Sequence, residues 1–176
     1  MLERLFQNWA YATPPVAVLL FGLYPFFGAS LPFPVFASLP VYMLHQYEEH
    51  DDNRFAVFLN GMMGADKRGL SSSDVWIVNV VFVWFSLLAV FYLASVNPSW
   101  GVLAAYLLAI NGVVHLAWAA AFREYNPGLG TAVVLFIPCA IWIFAETSAT
   151  LITHVVSAIT VIVLHVGIMM VARRPA

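Results

Sequence analysis

The sequence predicts an all-α fold: a polytopic transmembrane helix bundle of about six spans, with both termini on the cytoplasmic side. Three observations carry this reading. Hydrophobic residues make up 62% of the 176 and charged residues only 9%, against about 45–50% and about 25% in soluble domains, and mean hydropathy is +0.88. Apolar runs near the ~20 residues that cross a hydrocarbon layer recur along the chain. All seven Lys and Arg fall in the connections that share one side of a six-span topology.

The first span is expected from Thr13 to Ala29, opened by Pro14-Pro15 and bent at Pro25. The second, from about Pro34 to Glu49, is short, holds Pro40 and ends in a burst of ionisable residues. Asp74 to Ser95 is almost uniformly apolar, with Ser73 or Asp74 placed to cap it. After the turn Asn97-Pro98-Ser99, the fourth span runs from Gly101 to Phe122 and stops before Asn126-Pro127-Gly128. Gly130 to Glu146 and Thr150 to Ala172 complete the set.

Residues 51–73 form the only sizeable polar stretch. The apolar piece at its centre, Phe55 to Met63, is too short to cross, so an interfacial or re-entrant segment is expected there. No internal repeat is visible, and residues 1–176 read as a single transmembrane domain. Arg4, Arg54, Lys67, Arg68, Arg123, Arg173 and Arg174 set the orientation, because cytoplasmic connections collect basic residues. An integral membrane location follows, with the bacterial inner membrane as the expected one.

Composition also excludes partners. With Lys+Arg 7 against Asp+Glu 9 there is no basic stripe for a phosphate backbone, so nucleic acid is not expected. The single cysteine, Cys139, reads as a small core residue. The lipid bilayer is the first partner, and an oligomer is compatible with the sequence.

Ionisable groups inside a span cost a few kcal/mol each by insertion scales, so they face the bundle interior and usually have a task. His45, Glu48 and Glu49 end the second helix. Residues three and four apart share a helix face, so both carboxylates flank the ridge of His45. His115 and His165 each lie eight residues before a basic residue, Arg123 and Arg173, which places both about 12 Å below the cytoplasmic end at 1.5 Å per residue. Three histidines and two carboxylates from three helices can therefore converge in one cytoplasm-facing cavity.

Imidazole with carboxylate suits a transition metal ion such as Zn, Fe or Mn. His45-x-x-Glu48-Glu49 departs from the inverted zinc-peptidase pattern H-x-x-E-H only at its last position. On that analogy His45, Glu49 and His115 hold the metal, His165 is a fourth or outer ligand, and Glu48 handles protons. His154 and Glu146 lie near the opposite surface, where a loop contact is expected instead. Glu124 reads as an ion-pair partner of Arg54 or Arg123.

His45-x-x-Glu48-Glu49, the later His115 and Tyr125-Asn126-Pro127-Gly128 together resemble the HXXEE family of integral membrane proteins, defined by an H-x-x-E-E motif, a further histidine and a Y-x-P-G motif. The family has no established activity, so the resemblance implies which residues matter and no reaction. Tyr125, Pro127 and Gly128 have a physical reading of their own: proline fixes φ and glycine permits φ > 0, giving a rigid structural turn.

The function expected is that of a membrane metal-binding protein, a metal-dependent hydrolase or oxidoreductase acting on an amphiphilic or lipid-like molecule. A small transporter or ligand-binding protein using the same cluster for cation binding or proton relay is the alternative. A structural subunit would leave the cluster without a role.

Overall fold

The computed structural model describes residues 2–28, 30–63 and 66–174, and these are helical with no β-sheet. Eight helices follow in order: α1 (Leu2–Asn8), α2 (Thr13–Leu23), α3 (Phe33–His50), α4 (Arg54–Met63), α5 (Ser72–Val96), α6 (Pro98–Phe122), α7 (Leu129–Glu146) and α8 (Leu151–Ala172). The last four are long and apolar enough to cross a membrane, close to the bounds expected. Capping fixes their starts. Ser71 accepts from the backbone N–H of Asp74 at 3.2 Å while Asp74 accepts from that of Ser71 at 3.0 Å. The cap of α5 is therefore Ser71, with Asp74 closing the box three residues on. Thr150 caps α8 through the N–H of Thr153 at 3.2 Å.

Regular α-helical geometry covers only part of the first expected span. α2 holds α-helical geometry for 11 residues and then tightens into a 3₁₀ turn at Tyr24–Phe26, around Pro25, because proline cannot supply the N–H that α-helical pitch needs. Ala29, the expected end, lies outside the described residues. Ahead of α2, α1 and a tight turn at Trp9–Ala12 extend the helical path back to Leu2.

α3 is the hub of the bundle. Fourteen of its 18 residues are buried, with α2, α5, α6 and α7 packed around it. Its low apolar content follows from that position, since a helix sheathed by others meets protein instead of lipid and can carry polar groups. The main core joins Val35, Phe36, Leu39 and Tyr42 of α3 to Leu87, Leu108, Phe136 and Ile143. Cys139 is buried in the same core.

The ends of α3 and α8, the start of α5 and the chain around Arg68 gather at one pole. Arg68 and Gly69 donate their N–H groups to the carbonyls of Arg174 (2.8 Å) and Ala172 (3.0 Å), and Phe6 packs on Trp76 at 5.3 Å between ring centroids. Near it α4 packs on α3 and sets Phe55 and Phe58 against Trp118 of α6. The return from α4 is pinned by Asn60, which accepts from the N–H of Leu70 at 2.8 Å and donates to its carbonyl at 2.9 Å.

Candidate functional site

At this pole α3 presents His45 and Glu49 on one ridge, four residues apart, and His115 of α6 meets them. His45 is 0%, Glu49 5% and His115 2% exposed. Nε2 of His45 lies 3.4 Å from one oxygen of Glu49, and Nε2 of His115 lies 3.5 Å from the other. One ligand-competent atom of each residue falls within 4.8 Å of the other two. A tetrahedral ion with bonds of ~2.0–2.1 Å spaces its ligand atoms by roughly 3.3 Å, close to the two imidazole–carboxylate distances, so the trio could hold a metal ion.

The far nitrogens of both rings are held by oxygen acceptors. Thr131 gives its hydroxyl proton to the carbonyl of Gly128 at 3.3 Å and accepts from Nδ1–H of His45 at 2.8 Å. Asn126 donates from Nδ2 to the carbonyl of His115 at 2.9 Å, which turns its Oδ1 to accept from Nδ1–H of the same ring at 2.5 Å. With Nδ1 of each ring engaged in this way, Nε2 is the nitrogen turned toward Glu49, and such outer partners are typical of metal-binding histidine.

Glu48, one residue earlier and about 100° around the helix, turns away from the trio. Its oxygens accept from the hydroxyl of Tyr125 and from the backbone N–H groups of Gly130 (3.0 Å) and Thr131 (2.6 Å). It caps the positive N-terminal end of α7. Burial, and then the bond to Glu48, push the Tyr125 phenol up to about 12. Between these contacts the chain turns through Gly128 at φ +95, where a β-carbon would stand 2.7 Å from Cε1 of His45 and 2.8 Å from Cε1 of His115. The H-x-x-E-E and Y-x-P-G segments interlock around the two rings, and glycine is the residue that fits between them.

Residues outside the expected set complete the site. His50 is 3% exposed, with Nε2 3.1 Å from Glu49 and its ring between Trp9 and Phe55. Gln46 donates to Asn79 at 3.0 Å and accepts from the indole of Trp84 at 2.7 Å. Asn79 lies where α5 widens to π-helical pitch over Ile77–Trp84, a distortion frequent at functional sites. His50 stands next to the motif and was within reach of sequence reasoning. Thr131, Asn126 and Gln46 carried no signal that separates them from ordinary polar residues.

His165 stands apart from the trio. Its Nδ1–H donates to the carbonyl of Val161 at 2.9 Å, and the residue lines a cavity of about 590 Å³ that also touches Glu49, His50 and His115. His154 bonds the hydroxyl of Tyr106 at 3.2 Å. Arg54 pairs with Asp51 at 2.6 Å, not with Glu124, because Asp51 lies only three residues before it.

Residues 36–143, more than half of the chain, match the family described as "Protein of unknown function with HXXEE motif". The chain belongs to that family. No curated protein and no solved structure matches it.

Proposed function

We propose that this protein is an integral membrane metalloprotein that holds a transition metal ion (Zn, Fe or Mn) at His45, Glu49 and His115, and acts as a metal-dependent enzyme on an amphiphilic, lipid-like molecule. The observation that carries the reading is the pair of imidazoles whose Nδ1–H groups are bound by Thr131 and Asn126 while both Nε2 atoms flank one buried carboxylate. Three protein ligands leave a coordination position for water or substrate, the arrangement of catalytic sites, whereas structural sites are closed. A bound ion there would lower the pKa of a coordinated water or polarise a substrate oxygen.

Within this reading His165 is an outer imidazole on the cavity wall. Glu48 is a positioning residue acting through Thr131, which it binds at the backbone and which holds His45. The proton-handling role expected from the motif needs an oxygen of Glu48 released from Tyr125 or Gly130, so the positioning role has the better support. We also take α2 and α3 as the first two of six spans, and the pole that gathers the basic residues as cytoplasmic, so that the site opens toward that side.

Metal analysis of protein purified in mild detergent without chelators tests the reading. The parent is expected to retain about one transition-metal ion per chain, His45→Ala and His115→Ala to lose it, and His154→Ala to keep it. A His115→Ala variant with as much metal as the parent overturns the ligand set.

A further inference from the structure

The cavity beside the trio carries a few ionisable groups in a mainly apolar wall. Its ionisable lining is Glu49, His50, Asp74, His115 and His165, and the rest is largely apolar, including Phe82, Val83, Leu107, Val163 and Leu164. Its volume of about 590 Å³ falls in the range of small-molecule sites, ~300–1,000 Å³. A second cavity of about 140 Å³ shares Ser86, Leu107 and Leu164 with it and continues to Leu93, Leu103 and Val161. From His115 to Leu103 along α6 this apolar path covers twelve residues, about 18 Å at 1.5 Å per residue.

The path has a mouth on the apolar flank. α8 packs along α6 but leaves α5 over most of its length, and the rims of the gap are exposed: Phe82 is 56% and Val163 62% accessible. Phe55 and Trp118, stacked with ring centroids 6.2 Å apart, also line the cavity. Buried polar atoms without partners mark the inner end. Among the described residues Nδ1 of His50 and Oδ1 of Asn111, both on residues that line this end, are in that state, while Nε2 of His45 and of His50 face the Glu49 carboxylate at 3.4 and 3.1 Å. Buried polar groups are rarely left so, and such a concentration at one place calls for a ligand. Oδ1 of Asn111 is among them, one turn from His115, while its amide donates to Tyr42 at 3.1 Å.

We propose that the cleft between α5 and α8 is the binding site of a single-chain lipid with a carboxylate head, which enters sideways from the bilayer and lays its chain toward Leu103 with its head at the metal position. This rests on the metal reading above and specifies its substrate class. The cavity offers no Lys or Arg to hold an anion, so the anion's counter-charge is the ion itself. A dication with neutral imidazoles and the single carboxylate Glu49 remains net positive and takes an anionic oxygen in its open position, while Asp74, the other carboxylate of the lining, is neutralised by Arg68 at 3.0 Å. One slot between two helices admits one chain.

Native mass spectrometry of the zinc-loaded full chain, with hexadecanoate, hexadecanol and butanoate as probes, tests this. One hexadecanoate per chain is expected, with hexadecanol at least ten-fold and butanoate at least a hundred-fold weaker. Two variants block the cleft. Ser86→Trp fills the junction of the two cavities. Gly167→Phe adds a ring on the cavity wall where a β-carbon meets nothing within 4 Å, so the fold tolerates it. Both should lose hexadecanoate at least ten-fold with zinc at the parental level. A zinc-loaded parent that takes up no hexadecanoate, or a Gly167→Phe variant that binds it as well as the parent, overturns this proposal and leaves the metal site standing. A parent without zinc overturns both.

Discussion

The α-carbon of Gly128 faces the ring of His45 so closely that a methyl group there would come within 2.7 Å of Cε1. Gly128 also holds φ at +95, a conformation that costs other residues about 1–3 kcal/mol. Gly128→Ala is therefore expected to lower the melting temperature and weaken metal binding at least ten-fold. Gly22→Ala, where a β-carbon meets nothing within 4 Å, should do neither. Thermal melts and zinc titrations of the two variants check this, and equal behaviour would remove the wedge role of Gly128.

Thr131→Val keeps the shape of the side chain but removes the acceptor for Nδ1–H of His45. Loss of such an outer partner typically costs 10–100-fold in metal affinity. Zinc titration should show a loss in that range with the ion count per chain unchanged at saturation. An unaltered affinity would mean that Thr131 does not orient the ring.

Tyr125→Phe probes the link between the two motifs. The phenol is raised to about 12, above its ordinary ~10, so its bond stabilises the fold fully below pH 10 and the contribution disappears as pH rises through about 12. The parent should therefore melt higher than Tyr125→Phe at pH 8, and the gap should close between pH 10 and 12. A gap that persists at pH 12 would exclude the Tyr125–Glu48 bond as its source. Glu48→Gln should lower stability as well and, if its role is to position Thr131, weaken zinc affinity while leaving the ion count per chain at saturation unchanged.

Cysteine labelling addresses the side of the membrane. The native Cys139 is buried, so a Lys67→Cys variant gives a clean signal. Membrane-impermeant reagent should reach position 67 only when the cytoplasmic face is open. Labelling from the outside would reverse the orientation of the pole and of the site beneath it.

How much was legible beforehand depends on how local the signal was. Hydropathy found the four long helices within a few residues, because lipid imposes a composition that local sequence records. It could not show where the first helix loses α-helical pitch, since Tyr24–Phe26 remain apolar while their backbone tightens at Pro25. His45 and Glu49 could be read as one ridge from a spacing of four. The separation of Glu48 from Glu49 was read as ligand against base, whereas Glu48 finds its partners at residues 125, 130 and 131. Those contacts cross more than 75 residues of chain, and no local pattern encodes them. Thr131 and Asn126 were invisible for the same reason: their importance lies in which ring nitrogen they face. His165 stands on the wall of the cavity that His115 also lines, because depth along a helix does not fix which way a side chain turns.

The burial of α3 has a consequence for how the protein is made. Chains emerge from the ribosome N-terminal end first, and Thr131 follows His45 by 86 residues. During that interval α3 carries Glu48 and Glu49 with neither the turn of Gly128 nor the start of α7 to receive them, and each acidic residue weighs against insertion by as much as ~2.5–3.5 kcal/mol. The helix synthesised early is thus among the last to be seated, once α6 and α7 close around it. Nascent chains arrested before residue 101 should leave α3 open to protease or to an insertion chaperone, and release should protect it together with His115, in one step.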